Sequence, residues 1–96
     1  MPDNVVALVP PETAPGMARL NTTWAGQNGD LPDLVAFDLP DERVRQIARE
    51  AIEAGSIPGI ARQGADLTDF VVDRFHATPE VPFDRLMVRP KVPFGA

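Results

Sequence analysis

The sequence contains no cysteine and no tyrosine. It holds one histidine (His76), one serine (Ser56), one tryptophan (Trp24) and one lysine (Lys91). Without cysteine there is no disulfide framework, no thiolate nucleophile and no zinc thiolate site. No apolar run approaches the roughly 18 residues that cross a bilayer. The N-terminus, Met1-Pro2-Asp3-Asn4, lacks the basic region and long apolar stretch of a signal peptide, so a cytoplasmic protein is expected. There is no Gly-x-Gly-x-x-Gly and no phosphate-loop pattern. No Gly-x-Ser-x-Gly context surrounds Ser56, which reads as part of a helix C-terminal turn.

Basic residues are also scarce. The formal net charge is −5, which argues against nucleic acid and against anionic membranes as partners, because both demand clustered Lys and Arg. The charge is uneven. Residues 1–84 carry all fourteen acids and six Lys/Arg, a net of −8; residues 85–96 carry Arg85, Arg89 and Lys91 and no acid, a net of +3. A basic end on an acidic body is an asymmetry a partner can read; solubilising charge on a strand edge is the plainer reading.

What is abundant is proline. Eleven prolines are about twice the usual share, and they fall mostly between candidate elements, so short elements with defined connections are expected. Ninety-six residues with 44% apolar content make one globular domain with a modest core.

Val5 to Val9 is an apolar run stopped by Pro10-Pro11 and reads as a buried strand. Glu12 to Gly16 is a turn. Met17 to Trp24 alternates partly and holds β-formers, giving a second strand expected to form a hairpin with the first. Gly26 to Pro32 contains the turn dipeptide Asn28-Gly29, and Leu34 to Phe37 is a short extended piece. A helix is predicted from Val44, Ile47, Ala48, Ala51 and Ile52, the i, i+3, i+4, i+7, i+8 stripe of a buried face. Asp38 is its candidate cap, Pro40 fits the first turn, Asp41 and Glu42 suit the positive end of the dipole, and Gly55 can end it. Arg49 and Glu53 face each other on its wet side. Ser56 to Asp69 is a Gly-punctuated connector tucked under the core by Ile57 and Ile60. Phe70 to Phe75 and Phe83 to Arg89 are strands joined through a two-proline turn, Thr78 to Pro82.

Two hairpins flanking one helix place the fold in the α+β class. The expected arrangement is ββαββ, with the helix on a mixed sheet and the first and last strands parallel in mid-sheet. That is the β-grasp arrangement; a ferredoxin-like relative would want a second helix, which the Gly/Pro content of 56–69 does not supply. Residues 1–89 form this single domain and residues 90–96 an extended tail.

Side chains capable of chemistry are few. His76 has only Asp73 and Glu80 nearby in sequence and reads as a surface residue at a strand end. Asp66, Asp69 and Asp73 would suit a hard metal if the segment were helical, but the apolar run from Phe70 points to a solvated acidic edge. Trp24 reads as core packing ahead of an interface anchor. No cofactor and no enzymatic activity is expected.

The tail is the feature left. Arg89-Pro90-Lys91-Val92-Pro93-Phe94-Gly95-Ala96 follows the last strand directly. Pro90 and Pro93 keep it extended and remove two N–H donors. Element order, the helix exit Glu53-Ala54-Gly55 into Ile57-Pro58-Gly59, and the run from Phe83–Arg89 into Pro90–Gly95 together resemble a bacterial ubiquitin-like protein of the β-grasp superfamily. The resemblance implies a protein modifier. Its terminal glycine carboxylate, here Gly95, is adenylated by an activating enzyme and passed to a target amine or thiol. A conjugating enzyme and a deconjugating peptidase are the further partners implied. Glycine allows the close backbone approach that an adenylation tunnel needs. Arg85, Arg89, Pro90, Lys91, Pro93 and Phe94 would form the partner-binding stretch, with the three cations registering the tail against an acidic groove.

This chain departs from the family in having one glycine there rather than a pair, with Ala96 beyond it, so Gly95 and Ala96 would be a processing site at which a peptidase removes Ala96. With Lys91 the sole lysine, single attachment or linkage through the N-terminal amine is expected. A non-covalent binding, inhibitory or adaptor protein is the alternative, using the open sheet face or the acidic body. A sulfur carrier of the same fold fits less well, because such proteins end on the glycine itself.

Overall fold

The computed structural model describes residues 15–91. They form β1 (Met17–Trp24), β2 (Gln27–Asp30), β3 (Val35–Ala36), α1 (Asp41–Ala54), β4 (Val71–Phe75) and β5 (Asp84–Arg89). This is an α+β fold with one helix packed on a mixed five-stranded sheet, ordered β2-β1-β5-β4 with β3 also on β1. The expected first strand, Val5–Val9, lies outside the described residues.

The expected hairpin and parallel pair are both reassigned. β1, not an earlier strand, runs parallel to β5, from Ala18 opposite Asp84 to Thr22 opposite Val88. Its other side takes β2 at residues 21–24 and β3 at residues 17–18. Both sides of β1 are therefore used by strands that follow it, and the hairpin involving Met17–Trp24 is made with β2. Its turn is Ala25-Gly26, with φ of 53° and 78°, the pair of positive values that a type I′ hairpin requires.

Asn28-Gly29, expected as a turn, is part of β2. Asn28 spends its amide across the strands, donating to Asn21 Oδ1 (2.9 Å) and Thr23 Oγ1 (2.8 Å). Gly29 answers to a tertiary demand. A Cβ there would meet the Pro58 carbonyl oxygen at 2.1 Å, and one on Gly59 would meet the Asn28 carbonyl oxygen at 2.5 Å. The connector thus lies against β2, and Gln27 Oε1 accepts from Ala61 N (3.0 Å).

The helix buries Val44, Ala48, Ala51 and Ile52, with Ile47 partly covered. They meet Ala18, Leu20, Thr22, Leu86 and Val88 from the sheet, and Ile57, Ile60 and Leu67 from the connector. Each large apolar side chain so buried contributes about 1.5–3 kcal/mol. Ile57 and Ile60 tuck under the core as their spacing predicts; Leu67 joins them. Gly55 takes φ 72° and closes the helix, with Gly55 N donating to Ile52 O and Ser56 N to Ala51 O. Arg49 and Glu53 pair at 3.1 Å.

The helix start differs from expectation. Pro40, not Asp38, occupies the N-cap position, and no side chain caps it. Arg74 on β4 holds this entry instead. Its guanidinium donates to the carbonyls of Phe37 and Leu39 (both 2.5 Å) and to the Asp41 carboxylate (2.6 Å). A planar five-donor fork can serve these three acceptors at once and in a fixed geometry.

Two substitutions test this packing. Gly29→Ala is expected to cost about 1–3 kcal/mol by overpacking, against less than about 0.5 kcal/mol for Gly64→Ala, whose added Cβ meets nothing within 4 Å. Urea midpoints at unchanged m-value report the difference. Thr22 is fully buried, and its hydroxyl has no hydrogen-bond partner among the described residues. Thr22→Val is therefore expected to stabilise the fold by about 1 kcal/mol, seen as a raised thermal midpoint; a lowered one would show that the hydroxyl is bonded.

Candidate interaction surface

Alternation along the strands sorts the sheet into two faces. Ala18, Leu20, Thr22, Leu86 and Val88 point to the helix. The opposite face presents Arg19 and Asn21 from β1, Arg85, Met87 and Arg89 from β5, and Asp73 and Phe75 from β4. Register brings them together: Arg19 lies opposite Arg85, Asn21 opposite Met87, Asp73 opposite Met87 and Phe75 opposite Arg85.

Each arginine on this face is held differently. Arg89 pairs with Asp73. Arg19 pairs with Asp30 at 3.2 Å and lies over the Phe83 ring, 5.0 Å from its centre. Arg85 lies over the Phe75 ring at 5.0 Å and has no carboxylate partner among the described residues. Its Nε is buried, and no described residue accepts from it. Phe75, at 40% exposure, is the one exposed large apolar side chain among the described residues.

Beside Arg85 opens a cleft of about 310 Å³. Val81, Phe83 and Met87 supply its apolar walls; Asn21 and Asp30 stand at its β2 side with Arg19. A smaller depression of about 190 Å³ lies between α1 and the connector. Its cations are engaged: Arg49 by Glu53, and Arg45 by the Phe70 carbonyl at 3.4 Å.

The residues singled out from sequence are placed as follows. Arg85 and Arg89 share the open face of β5, while Pro90 and Lys91 follow it, exposed. Pro93, Phe94, Gly95 and Ala96 lie outside the described residues. His76 is exposed; its Nδ1 is 3.7 Å from Asp84 and its ring 4.7 Å from that of Phe37, so the carboxylate it faces at this distance is Asp84, which the sequence reading did not name. Asp66 accepts from the Thr68 hydroxyl and backbone N–H, which holds its carboxyl below the ordinary value. Asp73 serves Arg89. Among the described residues no group of three His, Asp or Glu is placed to hold a metal ion. Trp24 packs against the core, its ring 5.6 Å from that of Phe70. Among the described residues no helix is long and apolar enough to cross a membrane.

Arg19, Phe75, Phe83 and Met87 escaped the sequence reading of the site. The signal was present in the odd-numbered positions of 17–24, 71–75 and 83–89. Their union on one face needed the β1–β5 register. No family model, no curated protein and no solved structure matches this chain.

The Arg89–Asp73 pair is about one-third to one-half exposed, so its worth is small. Asp73→Asn is expected to lower stability by less than about 1 kcal/mol. The loss should shrink in 1 M salt, where the Debye length is about 3 Å, as denaturant melts at two ionic strengths would report.

Proposed function

We propose that this chain is a ubiquitin-like protein of the β-grasp type that acts as a covalent protein modifier. The observation that carries the reading is the β2-β1-β5-β4 order, with β1 and β5 parallel in mid-sheet and one helix across one face. β5 runs directly into Pro90 and the tail, so the tail leaves from a strand hydrogen-bonded on both sides. The chain supplies the carboxylate, and partner enzymes supply the chemistry. A peptidase adds water across the Gly95–Ala96 bond and releases alanine. The Gly95 carboxylate then attacks the α-phosphorus of ATP, forming an acyl-adenylate as pyrophosphate leaves. A target amine displaces AMP and gives up a proton, leaving an amide. Arg89 and Lys91 flank the tail exit and suit an acidic groove on the activating enzyme.

The Arg85 cleft favours a second reading, a binding or adaptor protein that works non-covalently through the open face. The two readings separate on one experiment. The full chain and a form ending at Gly95 are incubated with ATP and the proteins encoded beside it, then analysed by intact mass and fragment spectra. The modifier reading expects a Gly95-linked adduct weighing the sum of both partners less one water, and the full chain to react only when a peptidase is present. Absence of any adduct from the Gly95 form would leave the binding reading.

A further inference from the structure

The geometry points to Arg85 as the receptor for a carboxylate side chain, carried on a partner protein by a short extended segment with an apolar residue two positions from the acid. The charges on the open face lead to this. Among the described residues it carries three arginines and two aspartates, and each aspartate is assigned: Asp30 to Arg19, Asp73 to Arg89. Arg85 keeps an unmatched positive charge on a chain whose formal net charge is −5. Its register neighbour is Arg19, whose own charge Asp30 pairs.

The Phe75 ring lies beside the guanidinium, 5.0 Å from its carbon, and no described carboxylate occupies the guanidinium's donor edge. A carboxylate meets such an edge through two parallel N–H···O bonds. The adjoining cleft, about 310 Å³, is at the lower limit for small-molecule sites and suits one or two side chains rather than a cofactor. Its walls of Val81, Phe83 and Met87 call for an apolar residue beside the acid. Asp30, standing at the same cleft, disfavours a multiply charged phosphate relative to a single carboxylate. An extended segment with a leucine-like residue two positions from the acid meets these demands, because residues i and i+2 point to the same side.

This site does not rest on the modifier reading. Arg85 stands at the start of β5 and the tail leaves at its end, about 13 Å of strand away. Binding at Arg85 therefore needs neither Gly95 nor an activating enzyme.

The test is a titration of the ¹⁵N-labelled full chain with the synthetic peptide Gly-Ser-Asp-Ser-Leu-Ser-Gly, and with a twin in which asparagine replaces aspartate. Saturable shifts are expected at Asn21, Phe83, Met87 and the Arg85 Nε–H. The asparagine twin should bind at least about 10-fold more weakly, as should the Arg85→Gln variant, with Arg85→Lys between. Arg89→Gln should bind within about 2-fold of wild type. The amide spectrum of each variant verifies its fold. Equal binding by the asparagine twin, unchanged binding by Arg85→Gln, shifts centred on α1, or no shift at millimolar peptide would each overturn the assignment. Tighter binding of a thymidine oligonucleotide at the same residues would overturn it in favour of a phosphate ligand.

Discussion

The parallel pairing of β1 with β5 is the constraint on which the rest of the molecule depends. It joins residues 18–22 to residues 84–88 and places both strands in mid-sheet, each with a neighbour on its outer side. One register decides two surfaces. Leu20 beside Leu86 and Thr22 beside Val88 make the floor on which the helix rests. Arg19 beside Arg85 and Asn21 beside Met87 make the opposite face. A slip by one residue would exchange them, burying arginines beneath the helix and turning leucines to water. The buried apolar set fixes the register, and the composition of the opposite face follows from it.

Around this pair, the sheet is finished by contacts that are mainly backbone. The connector approaches β2 so closely that two glycines face each other's neighbouring carbonyls, at Gly29 and Gly59. Arg74 holds the path from β3 into the helix through two carbonyls and one carboxylate. Both devices act where the sequence has little apolar bulk to offer, and they suit a small core whose members are mostly valine, alanine, leucine and isoleucine.

The helix was legible because its apolar stripe has a single periodicity from Val44 to Ile52, and Gly55 marks its end. The last two strands and the tuck of Ile57 and Ile60 were legible for similar local reasons. The strand at 27–30 was not: Asn28-Gly29 has turn chemistry, and its strand role is imposed by Asn21 and Thr23 across the hairpin and by Pro58 behind it. The Asp38 cap failed because the helix entry is held by an arginine more than thirty residues away in sequence, which no local pattern encodes. For the same reason Arg85 and Arg89 could be named as a basic pair, whereas the division of labour between them could not. That division depends on Asp73 reaching one and only a phenylalanine ring reaching the other.

The β1–β5 pairing also bears on the order of events during synthesis. β1 is among the first of the described strands to emerge, and its parallel neighbour is the last. Long-range pairing of this kind is paid for in loop-closure entropy before it returns any contact energy, and it slows folding. Until β5 is available, the β1–β2 hairpin must wait with Leu20 and Ala18 uncovered on their β5 side. The polar Asn21–Asn28–Thr23 network on the hairpin's other face then has a second value. It keeps one side of the nascent hairpin unattractive to other chains while the apolar side awaits its neighbour.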